Sequence, residues 1–194
     1  MGFQIAAPNP ITPQGRLIAN AITYLSLPGV ALLGTVSTLT QAANFVRYFP
    51  MLVSTPITID QLSTEVTSAA AAGKLLRMGI YAADTAWQPM SVVCDTGALA
   101  ADAVGVVSGS VVAPLAAGRY LLAWNTDGAP TVRTVRGIPA NGFLVPTLGA
   151  NPIVYSLRGT QTFGAFPATG AVIDSVSGNN VGIDYWVFPR VSVP

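Results

Sequence analysis

One cysteine, eight carboxylates and no histidine are what this sequence offers for acid–base or nucleophilic chemistry. Without histidine, Ser-His-Asp and Cys-His catalysis have no base, and zinc sites built on Cys and His lose their usual ligands. Cys94 lies in the apolar run SVVCDTG, where a small buried hydrophobe is the expected role. Standing alone it forms no internal disulfide, which fits folding in a reducing compartment. The carboxylates Asp60, Glu65, Asp84, Asp95, Asp102, Asp127, Asp174 and Asp184 mostly stand next to turns. Glycoside hydrolysis needs two of them facing each other across a cleft, and calcium needs several converging oxygens. Asp84 with Asp95, or Asp174 with Asp184, are the pairs that could meet in space. No ligand-dense D-x-D loop is present, so solvated turns are the expected setting, and the expectation is a non-enzyme with no metal and no cofactor.

Aromatic side chains are the other candidates. Trp87 falls in AADTAWQPM, a loop between two strands, where an indole can stack on a sugar or lodge against a partner. Asp84 opens the same loop, so the candidate glycan or partner contacts are Trp87 and Asp84. Trp124, Trp186, Tyr120 and Tyr185 fall in strand patterns and are expected in the core.

Only 9% of the residues are charged and 51% are apolar, against roughly 25% charged in ordinary soluble domains. A surface so poor in charge points to burial against other protein. The basic residues Arg16, Arg47, Lys74, Arg77, Arg119, Arg133, Arg136, Arg158 and Arg190 are scattered, and the net charge is +1. Only Arg133 and Arg136 lie close together, so neither a nucleic-acid footprint nor a polybasic membrane patch is expected. The opening MGFQIAAPNP lacks the basic start and continuous apolar core of a signal peptide. Leu17 to Val46 carries no charge, but Pro28, Gly29, Gly34 and interspersed Asn, Ser, Thr and Gln argue against a membrane span. An arm buried against neighbouring subunits accounts for the same composition.

The elements that must position these residues read as strands. Ile57 to Asp84 is the clearest stretch: two strands joined by a small-residue turn. Ile57 and Ile59 share one face, then Leu62, Thr64 and Val66 take over with the phase shifted by one, as a bulge near Asp60 and Gln61 would cause. Leu76, Met78 and Ile80 then alternate with Arg77, Gly79 and Tyr81. A helix is the rival reading, from Ala69 to Ala72 and the four-residue spacing of Leu62 and Val66; β-branched Thr58, Thr64, Val66 and Thr67, with Gly73, favour strands. Further strands are expected at Phe45 to Phe49, Ser91 to Asp95, Ser108 to Val112, Arg119 to Asn125, Thr131 to Val135, Ile153 to Leu157 and Ile183 to Val191. Asp127-Gly128 is a hairpin signal and Gly178-Asn179-Asn180 a turn. Residues 137 to 170, rich in Gly, Pro and Asn, read mostly as long loops.

The chain divides at about residue 40. Pro8, Pro10 and Pro13 set an extended opening, and Thr12 with Pro13 could start a short helix with Ile18, Ala21, Ile22 and Leu25 on one face. Residues 1–40 are therefore expected to be an arm anchoring to another protein or, equally, an extra layer on the same domain. Residues 41–194, with eight or more short strands and no helix between them, are expected to form an all-β antiparallel β-sandwich or barrel.

Phe45 to Trp124 resembles the β-sandwich modules of tailed-phage fibres and other virion-surface proteins. The similar parts are ANFVRYFPMLVSTPITIDQLSTEVT, KLLRMGIYAAD, PMSVVCDTGAL and AGRYLLAW, with FPRV closing the chain. The resemblance implies a jelly-roll-like module, often trimeric, on the virion surface and sometimes touching host glycans. It makes the leading expectation a non-enzymatic bacteriophage virion structural protein, assembled in the host cytoplasm as a short fibre or spike homotrimer and held to other virion proteins through residues 1–40. No long shaft precedes the module, which keeps a capsid decoration protein bridging capsomers as a competitor. A stand-alone lectin or carbohydrate-active enzyme is the third alternative.

Overall fold

Apolar and polar side chains alternate along most of this chain, and β-branched residues are concentrated where they do, so strands are the favoured local structure. In the computed structural model, which describes residues 16–19, 22–25, 30–139, 156–177 and 183–192, strands are formed and no helix is present among those residues. They are β1 (Arg16–Ala19), β2 (Ile22–Leu25), β3 (Val30–Thr40), β4 (Phe45–Val53), β5 (Ile57–Ser68), β6 (Leu75–Ala83), β7 (Pro89–Asp95) and β8 (Leu99–Ala100). The series continues with β9 (Gly105–Leu115), β10 (Gly118–Thr126), β11 (Thr131–Pro139), β12 (Ser156–Thr160), β13 (Ser175–Ser177), β14 (Ile183–Tyr185) and β15 (Phe188–Val191).

These strands make two antiparallel sheets, consistent with a β-sandwich. The first runs β13-β12-β4-β10-β6-β7, with β8 also on β6; the second runs β14-β11-β5-β15, with β3 on β11 and β9 on β5. β1 and β2 pair separately, Arg16 opposite Leu25 and Ala19 opposite Ile22.

The main core lies between the sheets. Phe49, Met51, Leu76, Met78, Ile80, Leu122 and Trp124 come from the first sheet, and Ile59, Leu62, Val66, Ala113, Leu115 and Val132 from the second. Trp186 crosses its ring edge-on with both Phe49 and Trp124, at 4.4 and 6.3 Å between centroids, a geometry that adds to simple burial. A second core covers the outer face of the first sheet. There Val46, Tyr48, Tyr81, Leu121, Ala123 and Leu157 meet Trp87, Phe166 and Ile173. Both faces of β4, β6 and β10 are therefore buried, which explains their nearly continuous apolar sequences.

The phase shift expected in β5 is present. Ile59 is buried, and beyond the shift Leu62, Thr64 and Val66 are buried instead. The ladders of β5 slip there on both sides, between Ile59 and Gln61 against β9 and between Arg190 and Val191 against β15.

Several connections differ from the expectation. β5 and β6 are strands joined by a short turn, but they belong to different sheets: β5 pairs with β9, β11 and β15, β6 with β7, β8 and β10. Asp127-Gly128 likewise does not close a hairpin; it carries the chain from β10 in the first sheet to β11 in the second. There Asp127 Oδ1 accepts from the Leu75 N–H at 2.7 Å, so the carboxylate that signals a turn is bound to a different strand. The helix expected around Ile18, Ala21, Ile22 and Leu25 is corrected: the described part of that stretch is the β1–β2 pair, favoured by the β-branched Ile18, Ile22 and Thr23. β3 lies inside the expected arm, yet it pairs with β11 from Val30–Pro139 to Thr40–Thr131. Residues 30–40 are thus a strand of the second sheet. Ile183 to Val191 is broken into β14 and β15 because Trp186 and Val187, adjacent in sequence, both enter the core. The expected strand at Ile153 to Leu157 is found as β12, from Ser156 onward, with 153–155 outside the described residues, as are the proline-rich opening and the Gly178-Asn179-Asn180 turn. Among the described residues no helix is long and apolar enough to cross a membrane.

Candidate functional site

Asp84 to Gln88 link β6 to β7, and one carboxylate organises them. Asp84 Oδ1 accepts from the backbone N–H groups of Ala86 and Gln88, both at 2.8 Å. The Asp84 N–H donates to the Gln88 carbonyl at 3.1 Å, and the Trp87 N–H donates to the Asp84 carbonyl at 3.2 Å. This closed loop holds Trp87 at φ 60°, a left-handed conformation uncommon for a bulky residue and sustained only where surrounding contacts impose it. The imposing contacts are those of the second core, against which the indole is 93% buried, its relative exposure being 7%.

Arg119, an exposed residue of β10, lies over the indole with its guanidinium carbon 5.5 Å from the ring centroid. That cation–π contact covers the ring from the solvent side. The loop is also tied to the segment at 161–174, where the Ile173 N–H donates to Gln88 Oε1 at 3.0 Å. The same segment is held by Tyr81 Oη donating to the Pro167 carbonyl at 3.0 Å and by Phe166 N–H donating to Asp95 Oδ2 at 3.1 Å. Gly79 makes room for it, since a Cβ there would stand 2.7 Å from both the Cys94 carbonyl and the Phe166 ring.

Trp87 and Asp84 are thus brought together in one hydrogen-bonded loop. The indole is a lid on a core, and Asp84 Oδ1 accepts from two backbone amides. Arg119 completes the cluster; nothing in the sequence marks it, because its contact with Trp87 joins positions far apart in the chain.

The other carboxylates among the described residues are also engaged within the molecule. Arg133 grips Glu65 through Nε and through Nη2, the latter at 2.9 Å to Oε1. Arg77 donates to Asp95 Oδ2 at 2.6 Å and Arg190 to Asp60 Oδ1 at 2.7 Å. Asp102 accepts from the Gly73 N–H at 2.9 Å, and Asp174 from the Thr160 hydroxyl at 3.0 Å. The pair Asp84 and Asp95 is therefore spent on separate partners, and the Asp184 side chain lies outside the described residues. Among the described residues no three His, Cys, Asp or Glu side chains converge to hold a metal ion.

Titration follows burial. The half-buried Cys94 thiol is pushed up to about 12, first by desolvation and further by Asp95, so it is a weak nucleophile at neutral pH. The Tyr48 and Tyr81 phenols are raised by the same burial. Arg47 is lowered to about 10 by burial and by the positive charge of Arg158, its register partner across β4 and β12. Arg158 in turn lies 4.5 Å from the Phe45 ring centroid. This arginine pair was missed in the sequence because the two residues meet only through strand pairing.

A scan against protein-family models gives no match to this chain, and a search of curated proteins gives no significant relative.

Proposed function

We propose that this chain is a non-enzymatic structural protein of a tailed-phage particle, working as a homo-oligomer on the virion surface. The form favoured is the homotrimeric short fibre or spike that the sequence resemblance implies, with the chain ahead of β3 directed toward other virion proteins. The observation that carries the self-assembly is the character of the exposed surface. Val104, Val106, Val112 and Val172 are 68, 50, 83 and 72% exposed, while Asp60, Glu65, Asp95 and Asp127 are matched to Arg190, Arg133, Arg77 and Lys74 inside one subunit. Apolar surface of this kind, with few unmatched charges around it, is what a subunit covers on assembly.

A sugar stacked on Trp87 would require Arg119 to swing aside, so glycan contact is the weaker part of this reading. Light scattering of the purified chain tests assembly, with a trimer or a pair of trimers expected and a stable soluble monomer at micromolar concentration overturning it. Imaging of particles with this protein labelled tests location: a handful of copies at a tail supports the fibre, hundreds over the capsid support decoration, and none removes the virion role.

A further inference from the structure

β9 is an edge strand of the second sheet: it pairs with β5, and among the described residues no other strand pairs with it. Its residues 106–112 read Val-Val-Ser-Gly-Ser-Val-Val, the same in both directions about Gly109. The burial pattern alternates through this run. Val106, Ser108, Ser110 and Val112 are exposed, and Gly109 and Val111 are buried. No charged residue occurs between Asp102 and Arg119, so the edge lacks the lysines and other charges that usually keep such strands apart.

We propose that β9 is a homotypic docking strand, pairing antiparallel with β9 of a second copy about a two-fold axis at Gly109. This deepens the self-assembly reading above and rests on it. The occupant is a second copy because the palindrome makes the strand its own complement. In that register Val106 stands opposite Val112 of the second copy, Ser108 opposite Ser110, and Gly109 opposite Gly109. Positions facing each other have the same parity, so outward side chains meet outward ones and the buried faces stay continuous across the joint. The most exposed valine, Val112, gains a valine neighbour, and each edge gains a ladder of backbone hydrogen bonds. Pro114, which has no N–H to give, lies just beyond the palindrome and ends the match. Gly109 itself faces inward onto Thr96, whose Cβ would lie 2.5 Å from any added Cβ, so the centre of the contact is fixed by the fold. A two-fold contact cannot close a ring of three, so here it joins one trimer to a second.

The test is a pair of full-length variants, Val106→Cys and Val112→Cys, each with Cys94→Ala. Directly opposed strand residues lie within disulfide reach, so mild oxidation of the mixture should give a cross-linked 106–112 pair, and neither variant alone should cross-link comparably. Val112→Lys, at an exposed position, should halve the assembly mass in light scattering with an unchanged circular dichroism spectrum. An assembly that keeps its mass in Val112→Lys and yields no cross-link specific to the mixture overturns the β9 contact while leaving self-assembly standing. A monomeric wild-type chain overturns both.

Discussion

Arg119 places its guanidinium 5.5 Å from the centre of the Trp87 ring, and the indole beneath it is 7% exposed. The tryptophan that sequence position marks as a docking platform is therefore a packed component of the second core, capped by a cation. Its removal should act on stability before it acts on any ligand.

Trp87→Ala should destabilise the fold by about 3 kcal/mol, the usual range for a buried large aromatic. Arg119→Ala should cost only about 0.5–1 kcal/mol while shifting the tryptophan emission to the red. Denaturant titration with fluorescence checks both. Equal costs for the two variants would mean that the indole is not packed as described.

Asp84→Ala removes the acceptor for two backbone amides and should cost about 1–3 kcal/mol. Asp84→Asn keeps a carbonyl oxygen in place and should recover much of the loss. Thermal melts of the two variants, with amide exchange at Ala86 and Gln88, measure the difference.

Gly79→Ala puts a methyl group against the Cys94 carbonyl and the Phe166 ring, and overpacking of this kind typically costs about 1–3 kcal/mol. The strain should fall on the segment that lies over the sheet, so proteolysis between 161 and 174 should quicken in the variant. A cut rate equal to wild type would show that Phe166 does not press on β6.

Stability should fall as pH rises above about 9. Cys94, Tyr48 and Tyr81 all have raised folded-state values, the thiol going from 9.0 to about 12. The unfolded chain therefore releases protons that the folded chain still holds, and the stabilisation present below the unfolded values is lost as pH climbs through the folded ones. Arg47 works the other way, since its value is lowered from 12.5 to about 10: the cost of burying its charge is relieved as pH passes from 10 upward. Three groups oppose one, and alkaline unfolding is the expected result. Denaturant midpoints at successive pH values check it, and Cys94→Ala should move the onset from near 9 toward the tyrosine range. The same thiol should label at least a hundredfold more slowly folded than unfolded at pH 8, on the order of its reduced thiolate fraction.

Local pattern told a good deal. The slip at Asp60 and Gln61 was visible because a change of phase in the apolar residues leaves a mark in one strand alone. The two faces of β10 were visible in part: Tyr120, Leu122 and Trp124 share a side, but the burial of Leu121 and Ala123 on the other side depends on Phe166 and Ile173, remote residues in a stretch that looks like loop. Pairing was the harder matter. A small-residue turn after β5 and an Asp-Gly after β10 say that the chain turns without saying which sheet it enters next. At the candidate site, the loop holding Asp84 and Trp87 was found from sequence, and its chemistry was not, because the fates of the carboxylate and the indole rest on backbone amides and on Arg119.

The segment at 161–174 makes the two sheets differ on their outer sides. On the first sheet, the outer face is upholstered by the protein's own chain. On the second sheet, Ser63 and Ser108 share a hydroxyl contact of 2.9 Å, as do Thr40 and Thr131, and these pairs join neighbouring strands side chain to side chain. The two sheets are therefore unlike on their outer sides, one lined by aromatic rings and the other by small hydroxyls.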